Sequence, residues 1–131
     1  MAPEKIEQIC ERSPFVGQIF VYGDSLRDSL VAVVSPDPDY IVQWAKERGL
    51  PQDVGTLCQD SGVLMSVLRS VQEQGRSAKL RGFEQVKAIY LHPEPFTIEA
   101  GLLTPTMKLK RPQLKAMFEN AIAAMYAALD K

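Results

Sequence analysis

The chain has 131 residues, 46% of them hydrophobic and 24% charged, enough for one buried core and too few for two independent domains, so a single domain over 1–131 is expected. Fifteen Lys and Arg against sixteen Asp and Glu leave a formal net charge of -1, which excludes the broad basic field of a nucleic-acid binder and makes any positive site local. Two cysteines, Cys10 and Cys58, and one histidine, His92, exclude a CxxC pair and a zinc tetrad; they read as reduced thiols in or near the core of an intracellular protein.

"PEKIEQICER" opens with Pro3, suited to a first helical turn, and spaces Ile6, Ile9 and Cys10 along one face before Ser13-Pro14 ends it. "VGQIFVYG" and "SLVAVV" are short, branched and aromatic, and the polar "GDSLRD" between them predicts an antiparallel hairpin. "PDPDYIVQWAKERG" supplies Asp37 as N-cap, Pro38 in the first turn, Ile41, Trp44 and Ala45 on one face, and Gly49 as a stop.

"SGVLMSVLRSVQEQ" places Val63, Leu64, Val67, Leu68 and Val71 at helical spacing, whereas "EQVKAIYLH" reads as a strand closed by His92-Pro93. From Pro112 onward, Leu114, Met117, Phe118, Ala121, Ile122, Met125 and Leu129 form one apolar stripe, which predicts a single terminal helix laid on the core. The order predicts an α+β fold: a small mixed β-sheet, an antiparallel hairpin plus a later strand, flanked by helices. No apolar run approaches the roughly twenty residues that span a bilayer, and no basic start leads into an apolar signal stretch.

The GxSxG, Walker, GxGxxG and HExxH signatures are absent. His92 has no Ser or Cys partner in the pattern and receives no role. Glu94, Glu99, Asp37 and Asp39 sit at prolines and turns, where carboxylates cap backbone amides or face water. Met117, Phe118 and Met125 are explained by core packing without a partner groove.

What remains is the aperiodic connection "PEPFTIEAGLLTPTMKLKR", long for a small domain and therefore expected to be functional or disordered. It ends with Lys108, Lys110 and Arg111 within four positions, just before a helix start at Pro112 where free N–H groups favour an anion. Such clusters are otherwise mostly solvated and inert.

"APEKIEQI", "FVYGDSL" and "FEQVKAIYLHPEPFTIEAGLLTPTMKLKRPQL" together resemble the C-terminal domain of long-chain fatty acyl-CoA synthetases, over nearly the whole chain. These belong to the adenylate-forming superfamily, with acetyl-CoA synthetases, firefly luciferase and peptide-synthetase adenylation domains. "TPTMKLKR" carries the most specific part of the likeness. The resemblance implies a catalytic lysine at Lys108, with Lys110, Arg111 and Thr106 supporting substrate or phosphate, and Thr104, Pro105 and Thr106 shaping the loop.

It also implies a two-step reaction. A fatty carboxylate attacks the α-phosphorus of ATP to give acyl-adenylate and pyrophosphate, then the thiol of CoA displaces AMP. The small domain acts as a lid that rotates between the steps, its partner being the enzyme's own N-terminal adenylation domain, which holds ATP, Mg²⁺ and the fatty-acid tunnel. That domain and the hinge are not in the sequence, so Met1 reads as an added start. The piece alone is expected to be soluble and intracellular, inactive, without a tightly bound cofactor, and not inserted into a membrane, although the full-length enzyme can be membrane-associated. The alternative is a stand-alone regulatory or protein-interaction module whose basic loop docks an anionic partner. An RNA-binding module ranks last, because no strand pairs aromatics with flanking Arg or Lys in the manner of an RNA platform.

Overall fold

The computed structural model describes residues 3–24, 26–27 and 29–130. Of the features expected from sequence, Met1 and, in the hairpin loop, Ser25 and Asp28 lie outside the described residues. The elements run α1 (Pro3–Cys10), β1 (Val16–Gly23), β2 (Leu30–Pro36), α2 (Pro38–Glu47), α3 (Val54–Cys58), α4 (Ser61–Ser77), a 3₁₀ turn (Gly82–Glu84), β3 (Val86–Leu91), α5 (Arg111–Met117) and α6 (Glu119–Leu129).

The strands form one sheet in the order β1-β2-β3. β1 and β2 pair antiparallel from Val16 opposite Pro36 to Gly23 opposite Leu30, as a hairpin requires. β3 lies parallel to β2, from Leu30 beside Val86 to Val34 beside Leu91. A parallel neighbour can be reached only through a long crossover, and α2, α3 and α4 are that crossover. Where the β1–β2 register slips between Val16 and Gln18, Gly17 is needed: a Cβ there would sit 3.0 Å from the Ser35 carbonyl oxygen.

Both faces of the sheet are covered. Ile19, Val21, Ala32, Val34, Ile89 and Leu91 meet residues of α1 and α4, among them Ile6, Cys10, Val63, Val67 and Val71. On the other side Phe20, Val31 and Val33 meet Phe96, Leu102 and Leu103 together with Leu114, Phe118, Ile122, Met125 and Tyr126. A strand buried on both faces has no polar side to show, which is why "LVAVV" in β2 runs apolar without alternation.

Three helices start on an aspartate. Asp37 accepts from the amides of Asp39 and Tyr40 (3.0 and 3.1 Å), Asp53 from Thr56 (2.9 Å) and Asp60 from Gly62 and Val63 (2.7 and 3.1 Å). Gly49, at φ 69°, ends the α2 segment as expected. α3 was not visible in the sequence pattern, being five residues long with a single full turn of apolar spacing.

The single terminal helix is corrected to two. The chain breaks at Phe118, which ends α5 and caps α6 at φ -105° and ψ 19° while its ring packs against His92 (centroids 4.9 Å), Tyr90 and Phe96 (6.1 Å each). The break rotates the stripe, so that Met117 (53% exposed) and Leu129 (38%) leave the core that the uninterrupted period assigned to them. No helix among the described residues is long and apolar enough to cross a membrane.

Candidate functional site

The connection from β3 to α5 contains no helix or full strand, yet much of its backbone is hydrogen-bonded. Phe96 is 2% exposed, and the Gln18 side chain brackets its backbone, accepting from the Phe96 amide at 2.7 Å and donating to its carbonyl at 3.0 Å. The Thr97 carbonyl accepts from the amides of Leu102 and Leu103, both buried, with Gly101 turning the chain at φ 77°. Apolar side chains at single points and side-chain brackets thus order a segment without periodicity.

Beyond Leu103 the chain makes a tight hairpin, with an isolated bridge pairing Leu103 and Leu109. Pro105 sits at the second position of a turn closed by the Met107 amide on the Thr104 carbonyl (2.8 Å), where its fixed φ is favourable. Met107 takes φ 67°, a left-handed residue that lets the Thr104 amide reach the Lys108 carbonyl (2.8 Å), and the Thr104 hydroxyl accepts from the Lys108 amide (3.1 Å). The Thr106 hydroxyl lies 3.1 Å from that of Thr104. Lys108 is exposed at this tip, and among the described residues its ammonium makes no hydrogen bond or ion pair.

The three cations of the sequence cluster are brought together along one side of an open cleft of about 730 Å³, whose far wall is α1 with Glu4, Glu7 and Glu11. Burial, then the charge of Glu7, pushes the Glu11 carboxyl above its ordinary value. The cations differ in what they do there. Lys108 faces solvent; Lys110 is half-buried at the N-cap of α5 with no side-chain cap bond. Arg111 turns inward and forms a two-pronged ion pair with Glu7, at 2.6 and 3.1 Å. Thr106 does not line the cleft. Since α5 is only seven residues long, the electrostatics rest on the Lys108 ammonium rather than on a helix start.

Glu7, Gln18 and Met107 were not singled out from the sequence. Glu7 had a signal: it neighbours Ile6 and lies three residues before Cys10, at the margin of the buried stripe of α1, where a carboxylate needs a partner. The cysteines and the histidine lie away from the cleft. Cys10 and Cys58 are free and buried, and burial pushes their thiols up to about 12 and about 11, respectively. His92 is wedged between Phe96 and Phe118, and burial holds it below its ordinary pKa despite Glu94 at 3.3 Å.

No family model matches the chain. Among curated proteins it is 52% identical, over 98% of its own length, to a peroxisomal long chain acyl-CoA synthetase of Arabidopsis thaliana, and 45% identical over its whole length to a long-chain-fatty-acid–CoA ligase of Mus musculus. It spans 19% of the length of each. Over its whole length the chain is similar to one segment of long-chain acyl-CoA synthetases. Among solved structures, the adenylation domain of a carboxylate reductase from Mycobacterium chelonae matches at 33% identity with a TM-score of 0.80, over 97% of this chain and 18% of that one. The adenylation and carrier didomain of a carboxylic acid reductase from Segniliparus rugosus, in complex with AMP, matches at 32% identity and a TM-score of 0.81, over 99% of this chain and 16% of that one. The α+β fold of this chain is therefore one shared with part of these adenylation domains.

Proposed function

We propose that residues 1–131 are the C-terminal lid domain of a long-chain fatty acid–CoA ligase, and that Lys108 is its catalytic residue for acyl-adenylate formation. The observation that carries this reading is the Lys108 ammonium: unpaired among the described residues, exposed, and held at the tip of a proline-bounded hairpin whose legs are rooted in the core. The chain spans about a fifth of the synthetases it matches, so ATP, the fatty acid and CoA are assigned to a site completed by an N-terminal adenylation domain.

Both reactants of the first step are anions, and charge concentrates on the phosphoryl oxygens as the carboxylate attacks. A cation fixed at that point lowers the barrier. A unit-charge contact at about 4 Å with an effective dielectric of about 20 amounts to roughly 4 kcal/mol, near three decades of rate when made only in the transition state. Lys110, with its half-buried stem, supports the local positive potential. For the second step the lid rotates and CoA displaces AMP with Lys108 withdrawn.

Among the described residues no three or more His, Cys, Asp or Glu side chains are placed to hold a metal ion. Any Mg²⁺ is assigned to the N-terminal adenylation domain, and no step here passes through one. The protein is assigned to the cell interior; two of the relatives are named as peroxisomal enzymes.

Lys108→Ala in the chain joined to its adenylation domain is expected to slow adenylate formation by roughly two to three decades, while thioester formation from supplied acyl-adenylate stays within about twofold. Equal losses in both half-reactions would refute the role. The 131-residue chain alone is expected to release no AMP from ATP and palmitate, since a lysine loop without a pocket cannot hold the nucleotide.

A further inference from the structure

We propose that Glu7 and Arg111 are positioning residues for Lys108: the ion pair of buried Glu7 with half-buried Arg111 fixes the returning leg of the hairpin to the open edge of the sheet. This rests on the catalytic reading of Lys108 and adds how the lysine is aimed. β1 is an edge strand, so the outward N–H and C=O of Val21 have no neighbouring strand. Glu7 Oε2 accepts from the Val21 amide at 2.7 Å, and Arg111 Nη1 lies 3.5 Å from the Val21 carbonyl oxygen. The two side chains thus occupy the edge as a fourth strand's backbone would, and they grip each other through Nη2–Oε1 at 2.6 Å and Nη1–Oε2 at 3.1 Å. Glu7 is 4% exposed, and the guanidinium also stands over the Phe20 ring at 5.9 Å.

The outgoing leg of the hairpin is held by buried Leu102 and Leu103. The returning leg, Lys108 to Arg111, has the Lys110 amide on the Leu102 carbonyl (2.9 Å), half-buried Leu109, and this ion pair. Three residues of chain reach about 10 Å at most, so freedom at Arg111 becomes displacement of the Lys108 ammonium. Stability alone does not explain the pair, because apolar side chains of similar volume replace buried ion pairs at little or no cost. What they cannot replace is direction. Misplacement of a catalytic group by about 1 Å costs up to a hundredfold in rate.

The test is Glu7→Leu combined with Arg111→Met, with Lys108→Ala alongside. In the chain joined to its adenylation domain, the double variant is expected to stay folded with its thermal midpoint lowered by several degrees, because the buried Val21 amide loses its acceptor. Adenylate formation should fall about ten- to a hundredfold, with the KM for ATP within about threefold and thioester formation from supplied acyl-adenylate unchanged. In the 131-residue chain, amide exchange at Lys108 and Lys110 should accelerate at least about tenfold while that of Val33 in the central strand does not. A folded double variant with adenylation within twofold of the parent, parallel loss of both half-reactions, or unchanged exchange at Lys108 and Lys110 would overturn the proposal. If the double variant does not fold, Arg111→Lys decides on the same readouts: it keeps the charge but loses the fork, and a parental rate would overturn the role. Should Lys108→Ala slow adenylation while the pair variants do not, the positioning role falls alone; should Lys108→Ala leave it intact, both readings fall together.

Discussion

Lys108 and Arg111 stand three positions apart, carry the same charge and meet opposite surroundings. Lys108 ends in solvent at a turn held by backbone bonds and the Thr104 hydroxyl, whereas Arg111 is drawn inward against Glu7, Val21 and Phe20. Among the described residues one cation has no partner, and the other is satisfied within the fold. A cluster of positive residues in a sequence therefore does not say how many of its charges are available. The partner that decides, Glu7, lies more than a hundred residues away.

If tip and base are as separate as this contrast implies, substitutions should separate stability from chemistry. The largest effect on stability is expected at the base: Phe118→Ala removes a 5%-exposed ring packed on His92, Tyr90 and Phe96, and should lower the unfolding free energy by about 3–5 kcal/mol in a denaturant titration. Lys108→Ala, in the same titration, should change it by less than about 0.5 kcal/mol. A comparable loss at Lys108 would erase the contrast.

Met107→Gly probes the turn itself. The left-handed backbone costs a non-glycine residue about 1–2 kcal/mol, while a glycine adds about 0.4–1 kcal/mol of unfolded-state entropy, so the net gain should stay under about 1.5 kcal/mol. Adenylation should stay within about threefold, because the Thr104 bonds that shape the turn do not use the Met107 side chain.

The smallest effect concerns His92. Burial, opposed by Glu94, lowers its folded pKa below the ordinary 6.5. The neutral ring therefore contributes stability above that value, which is lost as pH falls through the lower folded pKa. Thermal midpoints measured from about pH 7.5 to 5.5 should decline, and His92→Gln should flatten that decline. Glu11 acts in the opposite sense: its raised pKa gives a contribution that is present at low pH and lost as pH rises through the folded value.

Much of this was legible in the sequence because its signals are local. Asp37 with Pro38, the hairpin strands, the stripe of α4 and the left-handed Gly49 each depend on neighbours within a few residues. The break at Phe118 was not legible, because it is set by rings from β3 and the connection that no helical period records. The connection between β3 and α5 was legible as unusual but not as ordered, since Gln18 in β1 supplies its bracket. Around the cleft, the exposure of Lys108 goes with its local Thr-Pro-Thr turn, whereas the fate of Arg111 required the α1 carboxylate to be placed in space.

The most direct measurement is single-turnover kinetics of the two half-reactions for Lys108→Ala and Lys110→Ala in the chain joined to its adenylation domain. Lys108→Ala should lose two to three decades in adenylate formation alone, and Lys110→Ala less than about tenfold. Similar losses for both variants, or a loss at Lys108 shared by the thioester step, would contradict the assignment of the chemistry to the one ammonium at the hairpin tip.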